Sequence, residues 1–121
     1  MDIEAALKQA MTIEGALGAA LVDYESGMSL GTTGGGRDLD LEVAAAGNTE
    51  VIRAKTRTLE ALRIDDTIED VLITLDRQYH VIRLLNRGGS RLFLYLAMDR
   101  SRANLALARH TLRGIDNDLS L

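Results

Sequence analysis

A glycine-rich stretch, GTTGGGRD at residues Gly31 to Asp38, contains the residue types of a phosphate-binding loop. Gly31 and Gly36 have the spacing of the two glycines in G-x-x-x-x-G-K-[ST], a loop whose backbone N–H groups cradle the phosphates of a nucleotide. The next two residues are Arg37 and Asp38. An arginine can face a phosphate, but Asp38 brings a carboxylate to the position where a hydroxyl ligates magnesium. Two of the four fixed positions therefore differ from the motif.

Other residues that carry chemistry lack the partners that a catalytic or metal site needs. His80 and His110 form neither H-x-x-x-H nor H-E-x-x-H, and the chain has no cysteine. Ser90 lacks the second glycine of G-x-S-x-G, so we interpret it as a turn serine. Asp23 and Glu25 lack the spacing of a calcium loop and are interpreted as solvated turn acids. The sequence therefore predicts no catalytic residue, no cofactor and no metal.

Four acids, Asp65, Asp66, Glu69 and Asp70, cluster at the entry to the third predicted strand. Such a cluster could hold a cation. Charges that guard the edge of a sheet against aggregation are commoner, however, and we favour edge protection.

Length and charge restrict the class of protein. A chain of 121 residues corresponds to one domain, 1–121, with its core over about residues 3–115 and a tail, 116–121, that is expected to fray. A net charge of −4 and the absence of Trp argue against a nucleic-acid partner. The N-terminus lacks the basic flank and apolar core of a signal peptide, and no apolar run is long enough to span a bilayer. We expect a soluble, cytoplasmic protein without membrane insertion.

Apolar spacing predicts three helices and five strands. The helices fall at about residues 2–11, 39–62 (with Asp38 or Asp40 as N-cap) and from Ser101 to near Gly114, and the strands at 17–23, 28–33, 68–75, 79–85 and 92–98, with a turn at 86–90 between the last two. The fold class is therefore α/β (α+β): a five-stranded, mainly antiparallel sheet between helices, in the order α-ββ-α-βββ-α. The fifth strand is apolar on both faces and needs cover on both. Because P-loop enzymes build a parallel sheet, the phosphate-loop interpretation is rejected.

The long helix carries two stripes at helical spacing. The larger one is predicted to face the sheet and contains Leu41, Ala44, Ala45, Asn48, Ile52, Leu59 and Leu62. The second has almost nothing larger than valine and contains Val43, Gly47, Val51, Ala54, Thr58 and Ala61. It is either an Ala-rich exposed face or a helix-packing surface, and the sequence leaves these alternatives open.

The segments ALGAALVDYESGMSL, HVIRLL and LFLYLAMDRSRANLALARHTL, with the Ala-rich helix after a glycine loop, resemble the roadblock/LC7 family over about residues 3–115. The resemblance implies a profilin-like or longin-like fold, a homodimer or heterodimer, and a role in regulating or docking a Ras-like small GTPase. In such dimers the third strand and the long second helix meet their partner counterparts. The expected interface is therefore the second stripe together with Ile68, Asp70, Val71 and Ile73. Bacterial relatives often work beside a small GTPase, and some stimulate its hydrolysis.

The resemblance supplies no catalytic residue, so we expect a non-enzymatic dimeric regulator or scaffold. Arg37 is a candidate partner contact and a tempting arginine finger, although a surface-loop arginine is usually only solvated. Two alternatives stay open. A small-molecule sensor would need an apolar pocket with convergent polar groups, and the sequence shows no polar cluster in the predicted core. A structural dimerisation module without a GTPase would have the same fold and dimer.

Overall fold

The computed structural model of the chain describes residues 1–85 and 90–120, so most of the turn predicted at 86–90 lies outside the described residues. The elements are α1 (Ile3–Ala10), β1 (Ala16–Asp23), β2 (Met28–Gly34), α2 (Leu41–Ala61), β3 (Asp70–Thr74), β4 (Gln78–Leu85), β5 (Leu92–Asp99) and α3 (Leu105–Asp118). The predicted order α-ββ-α-βββ-α is confirmed.

The five strands form one sheet in the order β2-β1-β5-β4-β3, and every neighbouring pair is antiparallel. Strand β5 lies at the centre, and all its side chains from Leu92 to Met98 are buried. Strands β2 and β3 form the two edges. The period of two in the sequence therefore predicts the strands correctly, and the burial of both faces of β5 confirms that the sheet is covered on both sides.

The two faces of the sheet carry separate apolar clusters. Helices α1 and α3 cover the face that includes Leu21 and Leu94, through residues such as Leu112. Helix α2 covers the opposite face, where Ile52 packs with Phe93. The layers are therefore two helices, the sheet, and one long helix.

A polar side chain caps the N-terminus of each of the three helices. Asp2 caps α1, and Asn104 caps α3 by accepting the N–H of Leu107. Asp40 caps α2, which decides between the two predicted caps. The predicted start of α3 at Ser101 is wrong, because that residue bonds Asp99 in the preceding turn, with its hydroxyl 2.8 Å from Oδ1.

The C-terminal tail differs from its prediction. Helix α3 continues through Gly114 to Asp118, and Leu119 is buried in the core below α1 and α3. The N–H of Ser120 donates to the carbonyl of Met1 at 2.7 Å. The expected fraying is therefore corrected for residues 116–120, because an apolar residue just after the helix packs on the core.

Two boundaries near the predicted interface also differ. Leu62, predicted to face the sheet, is 60% exposed, because α2 ends at Ala61 and the chain turns at Arg63, which has φ 56°. Strand β3 begins at Asp70, so Ile68 belongs to the connection that precedes it. The larger stripe predicts that α2 faces the sheet along its whole length, but the sheet extends under less of the second half of the helix than this predicts.

The glycine loop makes a tight turn between β2 and α2. Gly34 has φ +71°, and a Cβ built on it would lie 2.8 Å from the carbonyl oxygen of Leu17 and 3.1 Å from the Cα of Gly18. L-residues rarely adopt this backbone conformation. The glycine at 34 is therefore required by the close approach of β2 to β1.

We predict that Gly34→Ala lowers the free energy of unfolding by about 2 kcal/mol or more, because it adds both a strained φ and a backbone clash. The matched control is Gly114→Ala inside α3, where no described atom lies within 4 Å of the added Cβ. This control should raise the free energy of unfolding by about 1 kcal/mol. Urea denaturation measures both, and wild-type stability for Gly34→Ala would contradict the loop geometry.

Candidate functional site

The glycine loop is not arranged to receive a phosphate. The N–H of Gly35 donates to the carbonyl of Leu17 at 2.9 Å, and the N–H of Gly36 donates to the carbonyl of Leu39 at 3.1 Å. A phosphate loop needs such donors directed at the ligand. Because these two N–H groups are bound within the chain, the geometry supports rejecting the phosphate-loop interpretation.

Arg37 stands exposed on this loop. Together with Asp38 and Gln78 it lines a cleft of about 350 Å³ at one end of the sheet. The residues lining the groove beside β3, described below, do not include Arg37. The structure therefore does not bring the candidate partner contact into the predicted interface.

The second stripe of α2 lies on the surface of the protein. Val43 is 68% exposed, and Ala54 and Thr58 are also exposed. Apart from its own turn of helix, no described atom lies within 4 Å of a Cβ built on Gly47, so no close approach of another element explains this mid-helix glycine. Val51 alone of the stripe is half-buried, at the side that faces β3.

A mostly apolar groove of about 640 Å³ separates the second half of α2 from the start of β3. We call it the α2–β3 groove. It brings together four of the predicted interface residues, namely Val51, Ile68, Asp70 and Val71. Leu59 and Ile64 also line it, and Lys55 and Asp66 add charge. Ile73 lies two residues after Val71 on the same face of the strand but does not line the groove.

Strand β3 presents an open edge beside this groove. The N–H of Leu84 donates to the carbonyl of Glu69 and the N–H of Leu75 to that of Gln78, so odd-numbered residues of β3 bond to β4. Backbone groups alternate in direction along an antiparallel strand. The N–H and C=O groups of residues 70, 72 and 74 therefore point away from the sheet.

The acids before β3 do not act as the sequence predicts. Both oxygens of Asp70 accept from the guanidinium of Arg109 on α3, at 3.0 and 2.6 Å, which raises the pKa of Arg109. Glu69 accepts from Arg83 at 3.2 Å. Edge protection is therefore wrong for Asp70, whose carboxylate is only 10% exposed and is paired with Arg109 of α3. The guanidinium partners of Asp70 and Glu69 lie on α3 and β4, too far along the chain for a local pattern to reveal.

A polar cluster lies under α2, contrary to the expected absence of one. The hydroxyl of Tyr95 lies 3.1 Å from Nδ1 of His80, whose Nε2 lies 2.7 Å from Oε1 of Gln78, and Asn48 of α2 bonds Tyr95. Burial raises the pKa of Tyr95 to about 12 and lowers the pKa of His80. These groups satisfy one another and line neither wall of the α2–β3 groove.

One signal for this cluster was present in the sequence. Asn48 is the single polar residue of the stripe predicted to face the sheet, and a buried amide needs a partner. Tyr95 and His80 are hidden as alternate residues of ordinary strands. Arg83 and Arg109 gave no signal, because their partners come from distant elements.

Residues 1–85 and 90–120 contain no group of three or more His, Asp or Glu side chains suited to a metal ion. Within the same part of the chain, each helix is too short or too polar to cross a membrane.

We predict that stability falls on mild acidification because of His80. The unfolded chain takes up a proton near the ordinary pKa of 6.5, whereas the folded chain does so only at lower pH. The contribution of His80 to stability is therefore fully present above the ordinary pKa of 6.5. It falls as the pH drops through that value and stops falling below the pKa of the folded chain. Urea denaturation at about pH 8 and pH 5.5 should show a smaller loss for His80→Gln than for the wild type.

The control variant for this experiment is His110→Gln on the exposed face of α3, which should keep the wild-type loss. An equal loss in wild type and His80→Gln would contradict the assignment.

Solved structures provide the comparison with known proteins, since no family sequence model and no curated protein matches the chain. A roadblock/LC7 domain from Streptomyces avermitilis superposes with a TM-score of 0.81 at 13% identity, covering 97% of this chain and 93% of that one. The gliding protein MglB from Thermus thermophilus superposes with a TM-score of 0.78 at 16% identity, covering 93% of this chain and 82% of that one. MglB from Myxococcus xanthus superposes with a TM-score of 0.75 at 15% identity, covering 93% of this chain and 77% of that one. The chain has the roadblock/LC7 fold.

Proposed function

We propose that this chain is a non-enzymatic, dimeric regulator or scaffold of a Ras-like small GTPase. The observation that carries the proposal is one continuous surface: the exposed small-residue stripe of α2, the α2–β3 groove and the open edge of β3. The roadblock/LC7 fold, shared with the two MglB proteins, supports the regulatory class. We further propose a cytoplasmic location, and neither nucleic acid nor a membrane as partner.

The spacing of the stripe on α2 supports a second copy of the chain as the first partner. In an antiparallel pair of α2 helices related by a two-fold axis, Val43 would face Ala61, Gly47 would face Thr58 and Val51 would face Ala54 of the partner. Each pair sets a larger side chain against a smaller one. The stripe is therefore complementary to itself, as an isologous interface requires.

Strand β3 supports the same axis independently. The backbone groups that point away from the sheet belong to Asp70, Leu72 and Thr74. A symmetric antiparallel pairing that uses all of these groups is centred on Leu72. The centre of the helix stripe lies between Val51 and Ala54. Because Val51 and Val71 line the same groove, the two centres fall close together.

The GTPase part of the proposal rests on the fold and on the sequence resemblance. We infer that the partner binds a composite surface of the dimer, and the exposed Arg37 remains a candidate contact. A regulator can shift the nucleotide state of its partner only through a difference in affinity for the two states.

The α2–β3 groove also favours a second candidate function, a small-molecule sensor. Its volume and apolar walls suit a drug-sized ligand, and Lys55 and Asp66 offer polar contacts. Its openness at the surface where β3 presents its edge favours a protein occupant instead. A ligand that binds the wild-type chain and dissociates the dimer would support the sensor.

We predict that Ala54→Glu weakens the dimer, because a carboxylate would enter a close helix contact without room or water. The wild type should sediment at about twice 13.2 kDa and the variant should shift toward the monomer. The matched control is Ala46→Glu, an exposed position of α2 outside the stripe. If Ala54→Glu stays as dimeric as Ala46→Glu, the stripe is not the interface.

We predict state-dependent binding to a small GTPase. The chain is mixed with the nearest small GTPase of its genome, loaded with GDP or with a non-hydrolysable GTP analogue, and affinity and hydrolysis rate are measured. Binding to one state with faster hydrolysis supports an activator, and binding alone supports an effector or scaffold. The monomeric Ala54→Glu variant should bind more weakly in either case.

Absence of binding to any small GTPase of the host, in both nucleotide states, would contradict this part of the proposal. A structural dimerisation module would then be the better account.

A further inference from the structure

Strand β3 is a short edge strand with little support from the core. It has five residues, one neighbouring strand and no fully buried side chain, whereas five residues of β4 and seven of β5 are buried. Short edge strands with few buried contacts open most easily. Backbone bonds to β4 and partial packing of Leu72 and Val71 hold the strand, and side-chain bonds add to these at its start.

One guanidinium group holds the first residue of β3 from the α3 side. Arg109 bonds Asp70 through both carboxylate oxygens, and the Asp70 side chain is only 10% exposed. The neighbouring Glu69 lies 3.2 Å from Arg83 and 3.7 Å from Arg113, but its side chain is 66% exposed, and exposed ion pairs contribute little. The bidentate bond to Asp70 has the geometry that fixes a carboxylate in one orientation.

Asp70 joins this bond to the open edge. Its side chain points toward α3, while its N–H and C=O point outward, because the odd-numbered residues of β3 bond to β4. Fixing the Asp70 carboxylate therefore also fixes the backbone groups at the start of the edge. In a two-fold pair centred on Leu72, Asp70 faces Thr74 of the partner, so the arrangement occurs twice per dimer.

We propose that Arg109 is a positioning residue for the β3 edge, holding it through Asp70 in the extended form that a second copy of this chain pairs with. The inference rests on the proposed dimer and assigns to Arg109, outside that interface, control of its strength. The side chain of Arg109 is 42% exposed, so its removal leaves no cavity in the core.

The test uses the full chain and compares Asp70→Asn, Arg109→Gln and the exchanged pair Asp70→Arg with Arg109→Asp. The matched control is Arg113→Gln, one turn further along α3. The Arg113 side chain is 52% exposed, and its guanidinium lies 3.7 Å from the exposed Glu69. Sedimentation equilibrium gives the dimer dissociation constant. Hydrogen exchange at the N–H of Val71 and Ile73, which bond to β4, reports whether β3 stays on the sheet.

The expected result is a rise of about tenfold or more in the dissociation constant for both single variants, with faster exchange at Val71 and Ile73. The exchanged pair should restore much of the affinity, and Arg113→Gln should stay near the wild type. The midpoint of urea denaturation, measured on the Ala54→Glu background to remove the dimer, should change little.

Three results would overturn the inference. A wild type that is monomeric at every concentration removes the proposed dimer and this inference with it. A wild-type dimer whose dissociation constant is unchanged in Asp70→Asn and Arg109→Gln removes the inference alone. A loss of affinity matched by an equal loss of monomer stability, without recovery in the exchanged pair, shows that Arg109 serves only the general fold.

Discussion

The burial of both faces of β5 is the constraint on which the rest of the structure depends. Seven consecutive side chains, from Leu92 to Met98, are buried from solvent. Helices on one side of the sheet cannot cover both faces of this strand. The strand must therefore sit at the centre of the sheet, between β1 and β4, with α2 on one side and α1 with α3 on the other. This arrangement buries the middle of the sheet and leaves its two margins, β2 and β3, incompletely covered.

The margin at β3 combines an uncovered groove with an open strand edge. Helix α2 packs on the sheet through its first three turns, by Leu41, Ala45 and Ile52, but its second half stands over a groove instead of a packed layer. The apolar walls of that groove would be buried by an element from outside the chain. The open backbone edge beside it needs hydrogen-bonding partners of the same kind that β4 supplies on its other side. A second copy would satisfy both needs with one symmetric contact.

Local patterns could predict the elements but not the contacts between them. The period of two over the β4 and β5 segments and a capping aspartate, Asp38 or Asp40, are local signals, so the order of helices and strands along the chain and the approximate start of α2 followed from sequence. The bond between Asp70 and Arg109 spans 39 residues, and the bond between His80 and Tyr95 depends on a cross-strand register. For the same reason four predicted interface residues could be named, but the groove that unites them, with Leu59 and Ile64, could not.

Gly47 is the residue at which the fold and the proposed function make opposite demands. Within the monomer a glycine in the middle of α2 costs about 1 kcal/mol relative to alanine, and no described atom lies near enough to require it. In an antiparallel pair of α2 helices the same position would face Thr58 of the partner, and a missing Cβ would let the two backbones approach. A substitution by alanine would then stabilise the isolated chain while separating the helices of the dimer. The proposed dimer would therefore explain the glycine, and it would explain the rest of the exposed stripe in the same way.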